Sequence, residues 1–203
     1  MFTEIKINEN TSIYKSSINN IDNDSLIDDL KINCDLILTT SYPSEETPGI
    51  QSRIKLVSKN ISKLRNEITN NMISFFNLDD DYLYFIDDWI FISENKNIYS
   101  GFHKHDDNAE NILNFIKPQW TMVYYIQMPD NLKNNDGEIV FKTENDILFS
   151  FLPQKNDLLI FPADLLHRVE TNQSSSISRI VYATNVAILD KKREYVKKSK
   201  TLL

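Results

Sequence analysis

The chain has 203 residues, 41% hydrophobic and 11% aromatic, with 22 Lys and Arg against 29 Asp and Glu for a net charge of −7. That length supports one well-buried domain over 1–203, and the negative balance argues against nucleic acid as a partner, since phosphate binding needs surplus cations. No run of about 18 uncharged apolar residues marks a membrane span, the N-terminus lacks a charged-then-apolar leader, and the single Cys34 fits a reducing compartment, so the expected location is cytoplasmic.

Taken in chain order, Phe2 to Ile7 alternates as a strand, and the polar stretch Asn19 to Asp29 reads as a loop running into a short helix near Ser25. From Gln51 to Phe76 the apolar positions Ile54, Val57, Ile61, Leu64, Ile68, Met72 and Phe75 recur at steps of three and four, which predicts a helix with one apolar stripe. Its other face carries Lys55, Lys59, Lys63, Arg65 and Glu67, so the helix is expected on the outside of a sheet.

Beyond Asn77 the pattern changes. Runs rich in aromatic and β-branched residues fall at Tyr82 to Ile92, Trp120 to Met128, Gly137 to Lys142, Ile147 to Leu152, Leu158 to Phe161 and Arg179 to Ile188. Asn135-Asp136-Gly137 is a tight-turn signal, and Pro129-Asp130-Asn131 marks a strand end. The expected class is therefore mainly β with flanking helices (α+β): 1–80 holds N-terminal strands and buttressing helices, 81–189 a jelly-roll core, and 190–203 a basic, solvated tail.

The chain has only three histidines, His103, His105 and His167, and they are not scattered. In an extended segment, residues two apart share a face with Cα atoms roughly 6–7 Å apart, so His103, His105 and Asp107 can point the same way. His167 comes from a distant strand end that a barrel of two facing sheets can bring alongside. Two imidazoles and one carboxylate, His105, Asp107 and His167, form the set that holds non-heme Fe(II) on one face. The pair His103 with His105 offers an all-histidine alternative.

Arg179 follows His167 by 12 residues and shares a strand face with Val181 and Ala183, a charge in an apolar row that needs an anion. Its fork geometry suits a carboxylate, such as the far end of 2-oxoglutarate chelated to iron, and the Tyr125 hydroxyl can add to the same group. Trp89 and Trp120 are candidate walls. Residues 108–118, with Ile112, Leu113, Phe115 and Ile116, form either a closing lid or a rim.

These residues resemble the Fe(II)/2-oxoglutarate-dependent oxygenases of the double-stranded β-helix fold, in their prolyl-hydroxylase-like branch, over roughly residues 99 to 188. The marks are His105-Asp106-Asp107, Val123-Tyr124-Tyr125-Ile126-Gln127, Asp136-Gly137-Glu138-Ile139-Val140-Phe141, Asp157-Leu158-Leu159-Ile160-Phe161-Pro162, His167 and Ser178-Arg179-Ile180-Val181. Asn156 stands where the family has Gly, and Asn also tolerates a left-handed turn. The resemblance implies a metal site of His105, Asp107 and His167, a co-substrate site of Arg179 and Tyr125, and Fe(II) with 2-oxoglutarate and O2, ascorbate being a candidate accessory reductant. The implied reaction is hydroxylation of a peptidyl, prolyl-like or small-molecule substrate, coupled to conversion of 2-oxoglutarate to succinate. Competing readings are a non-catalytic jelly-roll metal- or ligand-binding protein and a cupin-like dioxygenase that needs no 2-oxoglutarate.

Overall fold

A computed structural model describes residues 1–32, 50–52, 58–93, 101–105, 119–130, 132, 135–170 and 177–191. In chain order its elements are β1 (Thr3–Lys6), β2 (Ser12–Ser17), α1 (Asn23–Ile32), β3 (Ile50–Ser52), α2 (Lys59–Phe76), β4 (Tyr82–Ser93), β5 (Trp120–Gln127), β6 (Ile139–Lys142), β7 (Leu148–Phe151), β8 (Asp157–Pro162), β9 (Leu166–Val169) and β10 (Arg179–Asp190). The expectations placed on Cys34, Ile54, Lys55, Val57, Asp107, the 108–118 segment and the tail beyond Lys191 lie outside the described residues.

The strands form a seven-stranded sheet in the order β1-β2-β8-β5-β10-β4-β3, facing a three-stranded sheet in the order β7-β6-β9. Every pairing is antiparallel. Strand alternation divides the large sheet between two cores. One face, with Ile90, Met122, Tyr124, Leu158, Ile160, Ile180 and Tyr182, packs on α1 and α2. The other, with Tyr125, Leu159, Phe161 and Val181, meets Ile139 and Phe141 of the small sheet inside the barrel. This is the expected jelly roll with buttressing helices, and the N-terminal β1 and β2 extend the large sheet through the β2–β8 pairing.

Helix α2 is shorter than its periodicity predicts. Residues 50–52 pair with β4 as an edge strand, and the helix begins at Lys59 behind Ser58, whose side chain accepts a hydrogen bond from the Ile61 amide at 3.0 Å. It stops where Asn77 adopts the left-handed conformation, φ 50°, so that the Leu78 amide reaches the Ile73 carbonyl at 3.0 Å. Its buried stripe is Ile61, Leu64, Ile68 and Met72, each contributing about 1.5–3 kcal/mol by leaving water.

Arg65 departs from the solvated face expected of it. Its Nε donates to Asp88 Oδ2 at 2.5 Å, and the same carboxylate oxygen accepts from the Tyr182 hydroxyl. One carboxylate on β4 therefore ties α2 to β10. Asp88→Ala is expected to lower unfolding stability by about 2–3 kcal/mol, because it leaves the buried phenol and the guanidinium without their acceptor. Urea denaturation measures this, and binding at the opposite face of the sheet should be unchanged.

Candidate metal centre

The three histidines meet on the barrel side of the fold. His167 sits in β9, paired with Phe141 of β6 on one side. On its other side it pairs with His103, through two reciprocal 3.0 Å N–H···O bonds. Residues directly opposite one another in an antiparallel pair present their side chains on one face, and His105 returns to that face two residues later. The His105 amide is pinned by the Ala163 carbonyl at 2.7 Å, in the turn between β8 and β9.

One donor atom from each imidazole lies within 4.8 Å of the other two. His105 Nε2 stands 3.3 Å from His167 Nε2. Two imidazole nitrogens bound side by side to one ion at roughly 2.1 Å lie about 3.0 Å apart, so the spacing suits a shared cation. His167 Nδ1 donates to the Leu165 carbonyl at 3.0 Å. A carbonyl can only accept, so the proton resides on Nδ1 and the Nε2 lone pair faces the cluster. Burial first, and then the neighbouring His105 and His103, hold the His167 pKa well below the usual histidine value, which keeps that lone pair available.

The rings are held by aromatic neighbours. His105 stacks on Trp89 with centroids 5.5 Å apart and planes at 16°, while His167 packs edge-on against Phe161 at 4.9 Å. Trp89 is thus a wall of the site, as expected. Trp120 is not: it packs with Phe75, Phe76 and Tyr14 on the helix side of the sheet. Strand parity explains the difference, because in β5 Tyr125 faces the barrel and Trp120, five positions earlier, must face away.

The sheet register supplies the floor beneath the imidazoles. Across β8, β5, β10 and β4 one row reads Phe161, Thr121, Asn185, Asp87, and the next reads Leu159, Val123, Ala183, Trp89. Since His167 rests on Phe161 and His105 on Trp89, the surface between them is Thr121, Asn185, Val123 and Ala183. Thr121 Oγ1 donates to Asn185 Oδ1 at 3.1 Å, which turns the Asn185 amide nitrogen away from Thr121. Sequence reading missed this polar pair, whose meaning depends on register across three strands.

Four residues along β10 from Ala183, about 13 Å of strand, stands Arg179. Its side chain is buried beneath the Phe91 ring, 5.8 Å from the centroid, and its Nε has no hydrogen-bond partner. No carboxylate among the described residues pairs with it. Burial pulls its pKa down and the nearby Tyr125 opposes this, yet a guanidinium keeps its charge in any protein environment. Tyr125 sits beside it, opposite Val181, where β5 carries a bulge. Burial raises the Tyr125 phenol well above the usual tyrosine value, so it remains a hydrogen-bond donor.

A second network holds Tyr125 in place. Its carbonyl accepts from the Asn156 amide at 2.9 Å, and Asn156 takes φ 77°, the left-handed turn that the sequence allows. The Asn156 side chain accepts from Asn23 Nδ2 at 2.6 Å, and the Tyr124 hydroxyl lies 3.0 Å from Asn23 Oδ1. Helix α1 thereby fixes the strand end next to Arg179.

The donor set suits a divalent transition metal, for which imidazole is a common ligand. An orphaned buried cation beside a phenol suits the carboxylate of a second small molecule. Of the residues singled out from sequence, His103, His105, His167, Trp89, Tyr125 and Arg179 share the barrel interior.

Residues 95–187 match the sequence model of the 2OG-Fe(II) oxygenase superfamily. No curated protein matches. Among solved structures, a prolyl-4-hydroxylase from Pseudomonas putida superposes with TM-score 0.59 at 11% identity, covering 86% of this chain and 91% of that one. A prolyl hydroxylase from Trichoplax adhaerens, in complex with a hypoxia inducible factor peptide, gives TM-score 0.58 at 13% identity over 90% and 86%. HygX from Streptomyces hygroscopicus, with nickel and 2-oxoglutarate bound, gives TM-score 0.59 at 10% identity over 87% and 83%. At these identities the structural likeness establishes the double-stranded β-helix fold.

Proposed function

We propose, from the match of residues 95–187 to the 2OG-Fe(II) oxygenase superfamily, that the chain is an oxygenase of this kind and hydroxylates a peptidyl, prolyl-like or small-molecule substrate in the cytoplasm. In this reading Fe(II) is held by His105, Asp107 and His167, and 2-oxoglutarate by Arg179 and Tyr125. The observation that carries it is the buried Arg179, whose Nε has no hydrogen-bond partner, set on the same face of β10 as the floor beneath the imidazoles.

What the metal supplies when bound is activation of dioxygen, through which 2-oxoglutarate becomes succinate and CO2 and a substrate R–H becomes R–OH. The chain's own residues do the positioning. His105 and His167, wedged against Trp89 and Phe161, offer lone pairs in a fixed direction. Arg179 and Tyr125 take the distal carboxylate of the keto acid, and Phe91 with Val181 keeps that end dry. On the other side of the imidazoles, Asn185 and Thr121 provide the polar floor on which the substrate rests, with Ala183 leaving room above β10.

The test is anaerobic titration of the Fe(II)-loaded protein with 2-oxoglutarate. Chelation gives a visible charge-transfer band, and air then yields succinate in step with keto acid lost. Absence of the band would favour a binding module. Tyr125→Phe removes one donor to a carboxylate and is expected to raise the dissociation constant for 2-oxoglutarate about tenfold. Its effect on Fe(II) affinity should be negligible, because the phenol belongs to the carboxylate end of the pocket.

A further inference from the structure

We propose that Lys15, on β2 and outside the matched segment 95–187, sets the preference of the barrel for a keto acid with a distal carboxylate, by cancelling the charge of Asp157 beside Tyr125. This rests on the co-substrate reading above and adds a specificity-determining residue to it.

The register brings the groups together. On β8, Leu159 and Phe161 face the barrel, and Asp157 shares their parity. Tyr124 pairs with Leu158, so the next step along the two strands sets Asp157 against Tyr125, with Cβ atoms about 5 Å apart. On its other flank Asp157 pairs with Ser17 of β2, and Lys15, two residues before Ser17, pairs with Leu159. Lys15 also shares the face of Ile13, which lies in the barrel core. Its Nζ reaches Asp157 Oδ2 at 2.9 Å and stands over the Phe151 ring of the small sheet, 5.2 Å from the centroid. Across the barrel wall the groups follow in order: a cation at Lys15, an anion at Asp157, the Tyr125 phenol and a cation at Arg179.

Asp157 is 3% exposed, and a carboxylate so buried needs partners. Its Oδ2 accepts from the Gln154 backbone amide at 2.8 Å as well as from Lys15, and its Oδ1 accepts from the Ser17 hydroxyl at 3.5 Å. Lys15 is the charged partner among these. Compensation matters because Asp157 acts on the phenol assigned to the ligand: burial raises the Tyr125 pKa, Arg179 opposes this and Asp157 adds to it. An anion arriving at Tyr125 and Arg179 therefore meets the field of Asp157 too. With Lys15 in place the three charged side chains sum to one positive charge, which a single distal carboxylate neutralises. Without Lys15 they sum to zero, and the same ligand leaves buried negative charge uncompensated. A keto acid that lacks the distal carboxylate is indifferent to the change.

Calorimetry on the Ni(II)-loaded protein tests this with two keto acids, 2-oxoglutarate and 2-oxopentanoate, which has the same carbon chain and no distal carboxylate. Lys15→Met should weaken 2-oxoglutarate binding about 3- to 10-fold, the size of one partly exposed charge acting through the protein, and leave 2-oxopentanoate unchanged. Asp157→Asn keeps an acceptor oxygen for its neighbours, and the double variant Lys15→Met/Asp157→Asn should return 2-oxoglutarate binding to the wild-type value. Equal binding by wild type and Lys15→Met, an equal loss on both keto acids, or a double variant no better than the single one would overturn the proposal. Should Lys15→Met not fold, Asp157→Asn carries the test alone: it should tighten 2-oxoglutarate and not 2-oxopentanoate, and unchanged binding would overturn the proposal as firmly. A wild-type protein that binds neither keto acid would refute the co-substrate reading itself, and the proposal with it.

Discussion

Replacing His167 with alanine is expected to reduce iron-dependent 2-oxoglutarate turnover to the level of the metal-free protein. The loss should exceed about 100-fold, since disturbing a partner that merely orients a metal ligand already costs that much. His167 contributes the Nε2 that faces His105 at 3.3 Å, with its proton committed to the Leu165 carbonyl. Its removal also leaves a gap against Phe141 and Phe161, so some stability will be lost, of the order of 1–3 kcal/mol. His167→Gln fills most of that gap without supplying an imidazole and should be equally inactive. Circular dichroism and urea unfolding on both variants separate a missing ligand from a missing fold. Iron-dependent turnover retained in a folded variant contradicts the assignment.

The convergence of the three histidines was legible because strand alternation is a local rule. His103 and His105 are two apart, and a barrel returns His167 to their side. The same rule, applied consistently, would have removed Trp120 from the site, since it and Tyr125 differ in parity along β5. The start of α2 was misplaced for a different reason. The three-and-four spacing continues back through Val57 and Ile54 to Gln51, yet residues 50–52 pair with β4, and periodicity carries no information about a partner strand. Ser58 was the available stop signal, as an N-cap residue ahead of the stripe. Strand β9 spans only Leu166–Val169 and owes its existence to β6, so no window of its own sequence announces it. The Asn23, Tyr124 and Asn156 network was equally hidden, because it joins three elements that meet only in the folded chain.

Arg179→Met is the sharper test of the co-substrate. A buried guanidinium with an unpaired Nε is a cost to the folded protein unless an anion joins it. Substitution by an apolar side chain of similar length should therefore leave the stability of the ligand-free protein unchanged or raise it. Keto acid binding should suffer in the opposite direction. Losing one partner of a buried charge-assisted pair costs about 3–4 kcal/mol, which weakens 2-oxoglutarate binding roughly 100- to 1,000-fold. Melting curves read both effects together: 2-oxoglutarate with a divalent metal should raise the wild-type melting temperature, and the same concentrations should leave the variant where it was. A structural ion pair makes the reverse prediction, a variant that melts lower before any ligand is added. A dioxygenase without co-substrate makes a third, in which activity survives the change. The three outcomes differ because Arg179 combines burial, a permanent charge and an Nε without a hydrogen-bond partner, and no carboxylate among the described residues pairs with it. Under the proposed function, the anion that joins Arg179 is the distal carboxylate of the keto acid.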